Sequence, residues 1–186
     1  MKQFYAGVAL AGLLVTAGCH KDESDNTMAP TDNGYATADN MAMNNGAAAM
    51  TVDAAFLTDA MKGDNSEVAI GKLAAAQGGS QAVKDLGTML VTDHGAHKDK
   101  LAAMASGAGI ATTDDTSDDG KAALAKLTPL HGDAFDKAFK ETAIADHEKD
   151  IAKYEKQAAA TDAQTAALAK DTLPTLHKHL DAAKKL

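Results

Sequence analysis

The sequence predicts an all-α domain in which two helical hairpins are joined by a long crossover. Aromatic residues make up only 4% of the 186 residues, which disfavours a β-sheet core. Ala, Leu, Lys and Glu, which favour helices, recur through the second half of the chain. From about residue 52 the apolar residues recur every three or four positions. These observations indicate a four-helix bundle.

Residues 1–18 have the layout of an export signal, with Lys2 as the charged end, an apolar stretch and closing small residues. Cys19, the only cysteine, follows directly and gives the segment a resemblance to the lipobox of bacterial lipoproteins. We expect lipid on Cys19, which would anchor the protein to the membrane on the periplasmic side of the envelope, at the outer membrane. The alternative is an ordinary secretory signal with an unrelated cysteine.

Residues 19–51 are rich in Asp, Asn, Thr, Ala, Gly and Met, without helical or strand periodicity. This composition predicts a disordered tether. Exported methionine-rich segments can hold Cu(I), but the composition favours a simple low-complexity spacer.

The charge and cysteine content exclude several function classes. A net charge of -8 and the absence of arginine oppose nucleic-acid binding, because phosphate recognition relies on basic side chains. A single cysteine allows neither an internal disulfide nor a thiolate zinc site.

The long helices are predicted from capping residues and apolar periodicity. Their expected spans are residues 53–78, 80–106, 133–159 and 162–186. The crossover, residues 107–132, is expected to carry a short helix at residues 121–127. Its acidic run superficially looks like a calcium-binding loop, but Lys126 stands where the bidentate Glu is needed, so calcium is rejected.

A Glu or His residue that could bind a metal lies near the middle of each long helix. These residues are Glu67, His94, His147 and His179. Each falls on or beside an apolar stripe, where burial is costly unless the polar groups satisfy one another or bind a metal. We therefore predict a transition-metal site formed by these four side chains, with Zn, Cu or Fe as the candidate ions.

Several neighbouring residues are candidates for further ligands or for groups that orient the ligands. Asp93 and Asp146 each precede a predicted histidine ligand. His97 lies near the same face as His94, or at its boundary. His177 and His179 diverge by about 200° around their helix, so only one of them points inward.

Short sequence motifs along the helices resemble those of a known protein family. They contain Phe56, Glu67, His94, His147 and His179. These motifs are Phe56-x10-Glu67, Met89-Leu90-Val91-Thr92-Asp93-His94, Gly132-Asp133-Ala134-Phe135-Asp136, Asp146-His147 and Leu173-Pro174-x4-His179-Leu180. Together they resemble DUF4142, a family of exported bacterial proteins of unknown function, often labelled outer membrane proteins.

The resemblance covers residues 52–186 and implies a ferritin-like four-helix bundle that carries the same Glu and His pattern. It favours His179 as the inward histidine, whereas the spacing from Leu173 and Leu180 favours His177. We follow the resemblance and predict that His179 points inward. The resemblance supplies no known activity.

Two function classes fit the sequence. The first is a metal-binding bundle of the bacterial envelope. The second is an envelope interaction or stress module without metal, in which Glu67 accepts hydrogen bonds from the histidines of a buried polar network. The sequence shows no Ser-His-Asp, Cys-His or phosphate-loop pattern, so we expect no enzymatic role. It does not identify a protein partner.

Overall fold

The computed structural model describes residues 51–186, which form five α-helices. Their bounds are α1 Ala54–Gln77, α2 Gln81–Gly107, α3 Asp118–Leu127, α4 Gly132–Ala158 and α5 Ala163–Lys185. The predicted signal segment, the tether and Cys19 lie outside the described residues. None of these five helices is long and apolar enough to cross a membrane.

The four long helices form two hairpins, as predicted. A three-residue turn, residues 78–80, connects α1 to α2, and residues 159–162 connect α4 to α5. The most extensive helix contacts lie within these hairpins, and α2 also packs on α5 and α1 on α4. The helix α3 lies in the crossover and contacts α1 and α4.

The helix starts follow from local capping. Asp53 accepts a hydrogen bond from the backbone N–H of Phe56 at 2.9 Å, and Ser80 accepts one from Val83 at 3.3 Å. The helix α3 begins at Asp118, three residues before the predicted start. Its N-cap is Ser117, which accepts from the backbone N–H of Gly120 at 3.0 Å. Asp118 and Asp119 occupy its first turn, where the helix dipole favours carboxylates.

The turn between α1 and α2 is fastened to the start of α4. The backbone N–H groups of Gly79 and Ser80 each donate to the Asp136 carboxylate at 2.7 Å. Although burial opposes the charge, these donors hold the pKa of Asp136 below its ordinary value. A Cβ on Gly79 would lie 2.9 Å from the Cα of Gly132, so this approach requires glycine.

Two apolar clusters fill the interior, and a polar layer crosses the bundle between them. The first cluster includes Phe56, Leu101, Tyr154 and Leu176, and the second includes Ile70, Leu90, Phe135 and Phe139. Along α1, α2 and α4 the chain passes from one cluster through polar residues to the other. The buried polar residues of this layer are Asp64, Glu67, His94, His97, His147, Thr172 and His179.

The inward stripe of α1 differs from the prediction at one position. The spacing of Phe56, Ala60, Ile70 and Ala74 predicts that Gly63 belongs to this stripe, but Gly63 is half-buried and its neighbour Asp64 is only 4% exposed. The buried positions 60, 64, 67, 71 and 74 follow the helical repeat more closely than a stripe through position 63. A carboxylate thus occupies a core position that was assigned to a glycine.

The helices α1 and α2 cross closely at a pair of glycines. A Cβ on Gly87 would lie 2.6 Å from the carbonyl oxygen of Gly71 and 2.7 Å from the backbone nitrogen of Ala75. Both neighbours are backbone atoms, so a methyl group here would push the two helices apart. By contrast, a Cβ on Gly95, also in α2, would meet no atom within 4 Å.

This difference predicts opposite effects of one substitution at two positions of the same helix. Gly87→Ala should lower the free energy of unfolding by about 1–3 kcal/mol through overpacking. Gly95→Ala should raise it by about 0.5–1 kcal/mol, because alanine is the better helix former. Urea denaturation of both variants measures the two changes. Shifts of the same sign would contradict the close crossing.

Candidate metal centre

Three histidines from three helices converge in the polar layer. His94 on α2, His147 on α4 and His179 on α5 each offer a ring nitrogen, and these three nitrogens lie within 4.8 Å of one another. The ring centroids are 5.1–5.7 Å apart. The three side chains are deeply buried, with exposures of 5%, 1% and 0% in the same order.

Helical spacing explains why these side chains point inward. His94 lies four residues after Leu90 and seven before Leu101, and both leucines are fully buried. His147 lies midway between the buried residues Ala143 and Ile151. Each histidine therefore continues the apolar stripe of its helix at the level of the polar layer.

Each of the three imidazoles has one nitrogen engaged with a hydrogen-bond acceptor. The Nδ1 of His147 donates to the carbonyl oxygen of Ala143 at 2.9 Å. The Nδ1 of His94 lies 2.9 Å from Asp64 Oδ1, and the Nε2 of His179 lies 2.9 Å from Asp93 Oδ2. Because carbonyl and carboxylate oxygens accept, these three nitrogens carry the hydrogens. In a neutral ring, the other nitrogen then bears a lone pair.

Two of these lone-pair nitrogens face each other. His147 Nε2 and His179 Nδ1 are 3.2 Å apart, and the hydrogens of both neutral rings are on the opposite nitrogens. His94 Nε2 is buried and has no hydrogen-bond partner among the described residues. Two imidazole nitrogens bound tetrahedrally to one Zn²⁺ at about 2.0–2.1 Å lie roughly 3.3 Å apart. The observed 3.2 Å separation matches that spacing.

Electrostatics keeps two of these rings neutral. Burial, reinforced by the charges of His94 and His179, lowers the pKa of His147 to about 3. Burial also lowers the pKa of His179, despite its bond to Asp93. Burial opposes the charge on His94 as well, but its bond to Asp64 and the nearby charge of Glu67 raise its pKa. His147 and His179 thus present lone pairs at neutral pH, as a metal ligand requires.

Asp64 orients the α2 histidines, a role that the sequence analysis did not assign to it. Its Oδ1 bonds His94 and its Oδ2 bonds His97, at 2.9 and 2.8 Å. Burial opposes ionisation of this carboxyl, but the two bonds hold its pKa below the ordinary value. The signal that could have found Asp64 is its spacing of four from Ala60 and three from Glu67.

The residues predicted as further ligands or orienting groups differ in burial and in hydrogen-bond partners. His97 is buried, and its two ring nitrogens contact Asp64 and the hydroxyl of Thr172, at 2.8 and 3.0 Å. Asp93 bonds the Nε2 of His179 at 2.9 Å and so fixes the orientation of that ring. His177 is exposed, whereas His179 is fully buried, so the inward histidine of α5 is the one that the resemblance favoured.

The acidic candidates Glu67 and Asp146 lie beside the triad. Glu67 is 4% exposed and makes no hydrogen bond to a histidine. It also lies outside the group of three histidine nitrogens that are within 4.8 Å of one another. Its Oε2 is buried without a partner in the described chain. Burial raises the pKa of Glu67 to about 8. Asp146 is half-buried and lines a cleft together with Glu67. The hydrogen bonds expected from the histidines to Glu67 go to Asp64 and Asp93 instead.

The fold and the site define a helical protein with a buried cluster of three histidines. The chain belongs to the family described as domain of unknown function DUF4142, whose model matches residues 38–186. No curated protein and no solved structure matches it.

Proposed function

We propose that this protein binds a divalent transition-metal ion through His94 Nε2, His147 Nε2 and His179 Nδ1. The observation that carries the proposal is the arrangement of the three rings. Each has its other nitrogen held by an acceptor, and the two facing lone pairs are 3.2 Å apart. This pattern of a ligating histidine with its second nitrogen fixed is characteristic of protein metal sites.

The donor set favours zinc among the candidate ions. Neutral imidazoles suit Zn²⁺ and Cu²⁺, and Fe also accepts them. Three converging nitrogens leave a fourth tetrahedral position for water or another ligand. Carboxylate-rich di-iron bundles use a different set, with a Glu and a Glu-x-x-His motif on paired helices. We therefore rank zinc first, copper second and iron third.

A buried polar network without metal is the second candidate function for this layer. It is favoured by the chain of contacts from His94 through Asp64 and His97 to Thr172, in which every bond is 2.8–3.0 Å long. In that case the layer would specify the packing of an envelope interaction or stress module. The network leaves the facing nitrogens of His147 and His179 without a hydrogen between them when both rings are neutral, which is why metal binding ranks first.

We also propose that the bundle is ferritin-like. The support is the connection of two hairpins by a crossover and the position of the polar layer between the two halves of the core.

The export proposal rests on the sequence of residues 1–19 alone. We propose that the signal is removed, that Cys19 is lipidated, and that the bundle is held at the periplasmic side of the outer membrane. A metal-holding bundle at this location would bind or buffer ions within the envelope.

If Cys19 carries the anchor, Cys19→Ser should move the protein from the membrane fraction to the soluble periplasmic fraction. The reason is that stable anchoring depends on acyl chains buried in the bilayer. Fractionation followed by mass spectrometry of the mature N-terminus checks both location and lipid. Continued membrane retention of the Ser variant, with unchanged processing, would contradict lipidation.

If the triad binds zinc, adding it to the metal-free full chain without an affinity tag should raise the melting temperature. At a free zinc concentration about 100 times Kd, the native state gains roughly 2.7 kcal/mol, which corresponds to several degrees. His147→Ala and His179→Gln should each abolish the rise while retaining the helical circular dichroism.

His177→Ala is the matched control, because it removes an exposed histidine two residues from His179. It should keep the full zinc-dependent rise. A wild-type protein that melts identically with and without zinc, copper and iron, and shows no binding by calorimetry, would refute the metal site and leave the polar network.

A further inference from the structure

A cleft beside the triad is lined mainly by charged residues. It lies between α1, α4 and the start of α3 and has a volume of about 310 Å³. Five carboxylates and three lysines line it. The carboxylates are Asp59, Glu67, Asp119, Asp146 and Asp150. Even with Glu67 protonated, the other four carboxyl groups outnumber the three lysines, and this excess of acidic groups favours a divalent cation in the cleft over an anion.

Two of these carboxylates lie on the same face of α4. Asp146 and Asp150 are four residues apart, a spacing at which like charges repel. Lys149 pairs with Asp119, and Lys153 lies 3.8 Å from Asp59, so these two lysines each have a carboxylate partner other than Asp146 and Asp150. The repulsion between the two α4 carboxylates would be relieved by a cation.

Glu67 connects this cleft to the histidines. It lines the cleft while being 4% exposed, and its charge acts on His94. Among the described residues, Glu67 Oε2 and His94 Nε2 are the two buried side-chain polar atoms without a hydrogen-bond partner. Glu67 thus places an unpartnered carboxyl oxygen in the wall of an acidic cleft, and it acts electrostatically on His94, whose Nε2 is also unpartnered. This arrangement indicates a cation that contacts both atoms in turn.

We propose that the acidic cleft is the entrance through which divalent metal ions reach the triad, and that Glu67 passes each ion to His94. The proposal rests on the metal-binding function proposed above. Asp146 and Asp150 attract the hydrated ion into the cleft. Glu67, which burial keeps mostly protonated near neutral pH, releases its proton to water as its carboxylate replaces part of the ion's hydration shell, and the imidazole nitrogens then replace the carboxylate.

The geometry distinguishes this role from that of a permanent fourth ligand. Two atoms bound to one Zn²⁺ at about 2.1 Å lie no more than roughly 4.2 Å apart. The Glu67 carboxylate lies outside the group of nitrogens that fall within 4.8 Å of one another. A group that lowers the barrier to passage changes association and dissociation rates by the same factor and leaves Kd unchanged. A ligand changes Kd.

Stopped-flow absorbance with Co²⁺ as the probe separates these roles, because tetrahedral Co²⁺ absorbs in the visible range. In the full chain, Glu67→Gln should slow both association and dissociation roughly tenfold, with Kd changed less than about twofold. The double variant Asp146→Asn/Asp150→Asn should slow association and weaken its dependence on ionic strength. The control Glu155→Gln/Asp181→Asn, which makes the same charge change at exposed positions outside the cleft, should match the wild type.

The outcomes are distinguishable from failure of the metal site itself. Wild-type rates in Glu67→Gln would refute the passage role while the metal site stands. A Kd raised at least about tenfold through faster release would also refute it, because Glu67 would then be a ligand. Absence of Co²⁺, Zn²⁺ and Cu²⁺ binding to the wild type would refute both proposals. Circular dichroism of each variant confirms that the helices are intact.

Discussion

The structure depends on the burial of a polar layer across the middle of a helical bundle. Four imidazoles, those of His94, His97, His147 and His179, lie there between two apolar clusters together with the carboxyl groups of Asp64 and Glu67. Buried polar groups are expensive unless each has a partner. Asp64, Asp93 and the carbonyl of Ala143 satisfy one nitrogen of each triad histidine. The same bonds that offset the cost of burial turn the remaining nitrogens toward one another.

The rest of the fold keeps this layer in register. The glycine crossing of α1 and α2 brings Asp64 within reach of His94, thirty residues away along the chain. The Asp136 carboxylate fastens the turn between these helices to α4, the helix that carries His147. The site is therefore assembled by contacts between helices rather than by any local motif.

Local signals in the sequence predicted much of this architecture. The starts of α1 and α2 follow from the caps Asp53 and Ser80, and the inward positions of His94 and His147 follow from helical periodicity. The inward position of His179 was implied by the family resemblance, because the spacing of the leucines favoured His177. Asp64 was missed because its partners lie on another helix, and spacing alone placed Gly63 in the stripe. The start of α3 was placed too late because its acidic first turn was assigned to the loop. Glu67 was correctly predicted to be buried, but its orientation toward the cleft depends on packing between α1 and α4.

A crystal structure of the zinc-loaded full chain, with anomalous diffraction recorded on both sides of the zinc absorption edge, tests the central claim most directly. The claim predicts one anomalous peak at about 2.0–2.1 Å from His94 Nε2, His147 Nε2 and His179 Nδ1. The bonds of Asp64, Asp93 and Ala143 to the other ring nitrogens should persist. A zinc peak coordinated elsewhere, or a triad without zinc in crystals grown with excess zinc, would contradict it.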